Sequence, residues 1–194
     1  MRIIAGTYKN LPLVAPKGLL TRPTSERLRE ALFNICQIYI QDVSFLDLYA
    51  GSGAIGIEAL SRGAAKATLV DSSRECVRVI KENLHTLKLE QQAKVFLGDV
   101  FEQMEKMQKM RQQFDIIFAD PPYHSTMAFN GVTKSSLEWL IEKIDESSLL
   151  KSNGMLFFER SADLKMPEMS RKSLGLKSSR RVGRSFLDQY QKIS

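Results

Sequence analysis

The sequence predicts an α/β protein with helices on both faces of a mostly parallel seven-stranded sheet of the Rossmann-like type. Short apolar segments rich in β-branched residues alternate with segments whose apolar residues recur at helical spacing. A glycine-rich turn joins the first of these strands to a helix, and acidic residues follow strand after strand. Strands that alternate with helices pair in parallel through right-handed crossovers. We therefore predict five parallel strands, completed by an antiparallel C-terminal hairpin.

Taken in order, the chain begins with a small arm over residues 1–20, predicted as a β-hairpin with Gly6 near its turn. The main domain follows over residues 21–194. Its first helix opens after Pro23, with Thr24 or Ser25 as the cap. Parallel strands are predicted at 43–48, 67–70, 93–97, 114–119 and 154–159, with helices between them. Residues 171–194 are predicted to form the hairpin at the sheet edge, with its turn at Gly183.

The turn after the first strand has glycines at Gly51, Gly53 and Gly56. Glycines let the backbone approach a ligand closely, and the helix N-terminus behind them offers unpaired N–H groups. This spacing, with Asp71 twenty residues after Gly51, also fits a dinucleotide site, so an NAD enzyme stays possible on these residues alone. Asp47 favours S-adenosylmethionine, because its charge would repel a pyrophosphate and attract an ammonium group.

Four acidic residues fall at predicted strand ends: Asp47, Asp71, Asp99 and Asp120. Ligands of open α/β sheets bind outside those ends, at the switch point in strand order. We expect Asp71 to accept the ribose hydroxyls of a nucleoside and Asp99 to accept from an adenine amine. For each aspartate alone, the alternative is a helix N-cap.

The most specific motif is Asp120-Pro121-Pro122-Tyr123. Two prolines after a strand make a stiff loop whose carbonyl groups are free to accept. The Asp120 carboxylate and the Pro121 carbonyl could hold a planar exocyclic amine, while Tyr123 stacks on the base. A base inside a duplex cannot be reached, so it must be flipped or lie in a loop. This pattern predicts methylation of a base amine.

Composition restricts the class of protein. The formal net charge is +6, with Lys and Arg in excess over residues 1–30 and 160–194 and acids in excess between. Basic ends around an acidic middle suit a polyanion lying across the site. No apolar run is long enough for a membrane span, and the two cysteines, Cys36 and Cys76, are expected as reduced core thiols. We expect a cytoplasmic protein without a metal.

With these residues in place, the chain resembles class I S-adenosylmethionine-dependent methyltransferases, and more narrowly the bacterial small-subunit ribosomal RNA guanine-N2 methyltransferase D family. The motifs that carry the resemblance are residues 2–6, Arg22-Pro23-Thr24, residues 27–34, Asp47 to Gly53, residues 56–64 and Asp120 to Tyr123. The resemblance implies N2 methylation of one guanine in 16S rRNA, within the small ribosomal subunit or its assembly intermediate, by a monomer.

Particular residues are expected to fill these roles, some from the resemblance and others from their charge or their position at a strand end. The catalytic loop comprises Asp120, Pro121, Pro122 and Tyr123. The cofactor set comprises Asp47, Tyr49, Ala50, Gly51, Ser52, Gly53, Asp71, Ser72, Asp99, Val100 and Asp120. The RNA-binding set comprises Arg2, Lys9, Arg22, Thr24, Arg27, Arg29, Arg180, Arg181 and Arg184. The arm departs from the family pattern because Tyr8-Lys9-Asn10-Leu11-Pro12 contains only one basic residue, so part of the RNA contact is expected in the tail.

Three other functions stay open. An adenine-N6 DNA methyltransferase would hold its target amine with the same type of Asp-Pro-Pro-Tyr motif, although the sequence contains no recognisable DNA-target domain. A non-catalytic RNA-binding or assembly factor could have the same fold. The acidic and glycine residues of the predicted cofactor and acceptor sites are all present, which argues against loss of catalytic activity. An NAD-dependent oxidoreductase lacks an evident catalytic His or Tyr-Lys pair.

Overall fold

A computed structural model describes residues 1–16, 25–122, 126–129, 132–164 and 172–193. The helices are α1 (Glu26–Cys36), α2 (Ala54–Ser61), α3 (Arg74–Thr86), α4 (Val100–Lys109) and α5 (Ser136–Glu146). The first strands are β1 (Ser44–Leu48), β2 (Lys66–Asp71), β3 (Ala93–Leu97) and β4 (Phe114–Ala119). The later strands are β5 (Thr126–Phe129), β6 (Val132–Ser135), β7 (Leu150–Ser161), β8 (Leu174–Val182) and β9 (Ser185–Lys192).

Seven of these strands form one sheet in the order β3-β2-β1-β4-β7-β9-β8. Strands β3, β2, β1, β4 and β7 run parallel, and β9 lies antiparallel between β7 and β8. The chain winds outward from β1 to β3 and then returns to β4 on the other side of β1. The switch point therefore lies between β1 and β4, where a ligand crevice is expected in this class of sheet. The predicted fold class is confirmed, including the tail hairpin.

Each face of the sheet is covered by its own apolar core. One core joins α1, α2, α3 and the arm through buried side chains such as Ile3, Leu32, Phe45 and Ile57. The other joins α4 and α5 through side chains such as Met104, Leu140 and Phe158. Because β1 is buried on both faces, its residues read as an apolar run rather than an alternation. Cys36 and Cys76 are both buried free thiols, as predicted.

The N-terminal arm differs from the predicted hairpin. Its two sides run antiparallel, with Ile3 N donating to Leu11 O and Asn10 N to Ile3 O, but only an isolated bridge joins Arg2 and Pro12. A longer ladder does not form because Pro12 lacks an N–H and because the next backbone donors point at α2 instead. The arm is thus organised by helix α2 rather than by its own pairing.

The antiparallel pair β5–β6 was absent from the predicted elements. Its sequence signal was available, since the dipeptide Asn130-Gly131 between two short segments is the strongest short-range indication of a hairpin. Within the part of the chain that the structure describes, no helix is long and apolar enough to cross a membrane.

Candidate active site

The glycine turn between β1 and α2 has three residues in the left-handed region and two backbone hydrogen bonds. Tyr49, Gly51 and Gly53 all have positive φ, at 64°, 57° and 79°. Ala50 N donates to Val70 O over 2.9 Å, and Gly53 N donates to Ala50 O over 2.7 Å. The first of these bonds joins the turn to β2, and the second closes the turn on itself.

The glycines have different roles in this turn. A Cβ placed on Gly51 would meet no heavy atom within 4 Å, so this glycine faces open space. A Cβ on Gly56 would lie 2.8 Å from Leu69 Cδ2, so this glycine allows α2 to pack closely on the sheet. Gly51 is therefore the one whose surroundings leave room for a ligand at the backbone.

Asp71, at the end of β2, holds the turn from the neighbouring strand. Its Oδ2 accepts from Gly51 N over 2.8 Å, and its Oδ1 accepts from Ser73 N over 2.8 Å. An ionised carboxylate has about four lone-pair sites, so each oxygen can accept a further bond. The half-buried Asp71 carboxylate can thus shape the turn and still accept from a ribose.

Asp47, near the end of β1, lies beneath the turn and is 1% exposed. Its Oδ2 accepts from Gly56 N over 2.9 Å, which caps the first turn of α2. Burial raises the pKa of the Asp47 carboxyl to about 8, and the nearby charges of Asp71 and Asp120 add to the rise. Asp47, Asp71 and Asp120 lie at the ends of the neighbouring strands β1, β2 and β4.

The raised pKa of Asp47 predicts a pH-dependent stability. The folded protein keeps this proton up to about pH 8, whereas an aspartate in the unfolded chain loses it near its ordinary pKa of 3.8. Unfolding therefore releases a proton between these values, and stability falls as the pH rises through that interval. We expect urea unfolding to show a loss of roughly 1–2 kcal/mol between about pH 6 and pH 8 in the wild type.

The variant Asp47→Asn should show a flatter curve over the same interval, because an amide cannot ionise but can still accept from Gly56 N. At about pH 8 it should be at least as stable as the wild type. An equally steep decline in Asp47→Asn would show that another group is responsible.

Asp99 lies before α4 and acts as its N-cap. Its Oδ1 accepts from Phe101 N over 2.9 Å and from Glu102 N over 3.2 Å. The alternative interpretation as a cap is thus confirmed, while a contact with adenine stays a prediction. Burial, assisted by the charge of Asp99, raises the pKa of the Tyr49 hydroxyl, which shows that these side chains share one environment. Ser72 is exposed beside Asp71, and Val100 is the buried first residue of α4.

The diproline loop follows β4, the strand beside β1. Asp120 is half-buried, Pro121 is buried and Pro122 is exposed. A shallow cleft opens beside the prolines and is lined by Pro121, Pro122, Ser135, Ser136, Leu137, Glu159, Arg160 and Leu164. The α5 end of the cleft is rigid because Ser135 and Glu138 form a reciprocal capping box. Tyr123 lies outside the described residues.

The predicted RNA-binding residues fall on two neighbouring regions. Arg2, Lys9 and Arg27 are exposed on the arm and on α1. Arg180, Arg181 and Arg184 are exposed on β8 and at its turn. Helix α1 contacts both β8 and β9, so the basic ends of the chain lie near one another. Arg22 and Thr24 lie outside the described residues.

The prediction that Arg29 binds RNA is wrong, because its side chain is only 2% exposed and cannot reach RNA from the surface. Its Nη1 donates to Arg2 O over 3.1 Å and lies 3.9 Å from Glu58 Oε2. Burial lowers the pKa of the Arg29 guanidinium, while the charge of Glu58 opposes this shift. Its place on the buried face of α1 gives Arg29 a structural role.

Two buried polar residues that support the site were not among the residues predicted from the sequence. Glu58, fully buried in α2, accepts from Ile4 N, Ala5 N and Arg62 Nε. Asn83, 2% exposed in α3, bonds the arm and the glycine turn together. A carboxylate at an apolar position of a helix was the only available signal for Glu58, and nothing local distinguished Asn83.

Comparison with known proteins identifies the family of the chain. A family model described as conserved hypothetical protein 95 matches residues 1–191. Ribosomal RNA small subunit methyltransferase D of Haemophilus influenzae is 34% identical over 165 residues, covering 84% of this chain and 80% of that protein. Its Escherichia coli namesake is 33% identical over 167 residues, covering 86% and 78%.

A solved Escherichia coli structure described as a methyltransferase superimposes with a TM-score of 0.84 at 31% identity, covering 100% of this chain and 98% of that one. The fold, the glycine turn and the diproline loop are thus accompanied by similarity along nearly the whole chain. The chain belongs to the family of ribosomal RNA small subunit methyltransferase D.

Proposed function

We propose that this protein transfers a methyl group from S-adenosylmethionine to the exocyclic N2 of a guanine in 16S rRNA. One observation carries the proposal. The glycine turn and the Asp120-Pro121-Pro122 loop follow neighbouring strands β1 and β4, and Asp120 acts electrostatically on the buried Asp47 beneath the turn. A site for the methyl donor and a site for a base amine therefore meet at one edge of the sheet.

The residues present fit the cofactor. The open space over Gly51 admits a ligand at the backbone, and Asp71 reaches that point from β2 through its bond to Gly51 N. Asp71 offers a carboxylate to an ammonium group or to ribose hydroxyls, while the buried Asp47 supports the turn beneath the ligand through its bond to Gly56 N. A carboxylate at this point does not suit a pyrophosphate. When bound, S-adenosylmethionine supplies an electrophilic methyl group on a sulfonium.

The diproline loop suits the acceptor. The Asp120 carboxylate and the Pro121 carbonyl can accept from the two hydrogens of a planar –NH2 group, which fixes its plane. An exocyclic amine need not lose its proton before it attacks, so positioning is the main contribution that the protein has to make. The proton leaves the nitrogen after attack, and Asp120 is the carboxylate beside it.

The cleft favours guanine over adenine. Guanine has an N1–H donor beside its exocyclic amine, whereas adenine has an N1 acceptor there. The cleft is lined by Glu159, a carboxylate that is 7% exposed and accepts from Ser185 Oγ. A carboxylate can accept from guanine N1–H but would repel the adenine nitrogen, and burial strengthens this discrimination.

The exposed arginines and lysine of the arm, α1 and the β8–β9 hairpin offer phosphate contacts on one side of the molecule. Such contacts position RNA without reading its sequence. We propose that the substrate is presented by the small ribosomal subunit or an assembly intermediate, that the protein acts in the cytoplasm, and that it acts as a monomer.

A labelled-cofactor assay tests this function. The protein is incubated with small subunits lacking the modification, with free 16S rRNA and with duplex DNA, and each product is digested to nucleosides for mass spectrometry. We expect N2-methylguanosine from the rRNA samples and no label in DNA. N6-methyladenine in DNA would favour the alternative enzyme, and binding of S-adenosylhomocysteine without any product would favour a non-catalytic factor.

A further inference from the structure

The buried side chain of Asn83 in α3 bonds the arm to the cofactor turn. Its Oδ1 accepts from Val14 N over 2.8 Å, and its Nδ2 donates to Val14 O over 3.0 Å. The same Nδ2 donates to Ser52 O over 3.1 Å, in the middle of the glycine turn. One amide group thus holds both backbone groups of an arm residue and a carbonyl of the predicted cofactor site.

A second connection runs to the helix that follows the turn. Glu58 of α2 accepts from Ile4 N over 2.8 Å and from Ala5 N over 2.9 Å. Ser61 Oγ donates to Ala5 O, and Thr7 N donates to Ser61 O. A Cβ on Gly6 would lie 1.9 Å from Ser61 O, so the arm fits this helix without spare room. The arm is therefore attached both to the glycine turn and to the helix that follows it.

We infer that Asn83 is a positioning residue that couples the arm to the cofactor turn, so that RNA contact at the arm strengthens cofactor binding. This inference rests on the proposed function, since it requires RNA and S-adenosylmethionine as the two ligands. The exposed Arg2 and Lys9 give the arm its charge for phosphate contacts. RNA that holds the arm in place also holds Val14, and through Asn83 it holds Ser52.

Such coupling is reciprocal, because the cofactor must favour RNA binding by the same factor. The order of the turn is the shared quantity. A ligand that orders the arm lowers the entropy cost that the second ligand would otherwise meet at the turn. The coupling needs no large movement, since Asn83 is already bonded to both segments.

The test compares the full-length wild type with Asn83→Leu, which keeps the side-chain size and removes all three bonds. S-adenosylhomocysteine binding is measured by calorimetry with and without saturating small subunits. In the wild type we expect subunits to tighten binding at least about fivefold, within the usual range of coupling. In Asn83→Leu we expect binding without RNA to weaken about tenfold, from the loss of buried bonds, and the enhancement by subunits to fall below about twofold.

The matched control is Thr86→Ala, one turn further along α3, where an exposed hydroxyl bonds only Glu82 O among the described residues. It should behave as the wild type. If Asn83→Leu fails to fold, Asn83→Asp keeps the acceptor for Val14 N and loses both donated bonds. At saturating cofactor, kcat should stay within about threefold of the wild type, so that the effect lies in KM.

A folded Asn83 variant in which subunits still tighten cofactor binding as much as in the wild type would overturn the inference, whatever its affinity without RNA. A wild type that shows no enhancement would overturn it as well. If the wild type neither bound S-adenosylhomocysteine nor methylated rRNA, the proposed function itself would be the part that failed. The wild-type control thus distinguishes the two failures.

Discussion

Replacing Asp120 with alanine is expected to lower kcat/KM for rRNA methylation by about 10³-fold while the affinity for S-adenosylhomocysteine changes less than about threefold. The reason is that Asp120 follows β4 in the diproline loop, whereas the cofactor turn is held by Asp47, Asp71 and Asn83. Loss of the carboxylate would leave the acceptor amine free to rotate, so attack geometry suffers and cofactor binding does not. Labelled methyl transfer and calorimetry measure the two effects.

Two further variants sharpen this test. Asp120→Asn keeps one acceptor oxygen but loses the charge, so an intermediate loss of about 10–100-fold is expected. Asp163→Ala removes an exposed carboxylate in the turn after β7 and should stay within about twofold of the wild type. Turnover by Asp120→Ala within a few-fold of the wild type would remove Asp120 from the mechanism.

The second large effect concerns stability. We expect Glu58→Gln to lower the free energy of unfolding by roughly 3–5 kcal/mol, the usual effect of breaking a buried ion pair from one side. Both carboxylate oxygens accept backbone bonds from the arm, so a glutamine would direct its –NH2 group at an N–H donor. The change would also leave Arg29, which is 2% exposed, without its compensating charge.

Urea denaturation monitored by circular dichroism gives this value, and the melting temperature should fall by roughly 10 °C. Glu82→Gln is the matched control, because it breaks an exposed pair with Arg78 on α3. Such surface pairs contribute about 0–1 kcal/mol. A loss below about 1 kcal/mol in Glu58→Gln would mean that the arm is not anchored by this carboxylate.

The parts of the fold with a strong local pattern could be predicted from the sequence. The helix at Arg74–Thr86 has a clear periodicity, and the ends of the strand at Ser44–Leu48 lie close to the predicted ones. The glycine spacing and the diproline motif located the site, because each restricts the backbone at fixed positions. The link from Asp71 to the turn follows from strand order, which the alternation of strands and helices indicates.

Other features depend on tertiary contacts that no local pattern encodes. Arg29 was predicted as an RNA contact from its charge, but its position on the inner side of α1 buries it beside Glu58. Asp99, like Asp71, was predicted at a strand end to contact the cofactor, yet its carboxylate bonds the helix behind it rather than a neighbouring turn. The Asn83 bridge joins segments separated by 69 and 31 positions in the chain.

The most direct test is a crystal structure of the protein with S-adenosylhomocysteine. We predict that the ligand lies against the backbone of Gly51, with its ribose hydroxyls about 3 Å from the Asp71 carboxylate and its sulfur directed at Pro121. A ligand bound elsewhere on the sheet, or one whose sulfur points away from the diproline loop, would contradict both the donor site and the acceptor site assigned here.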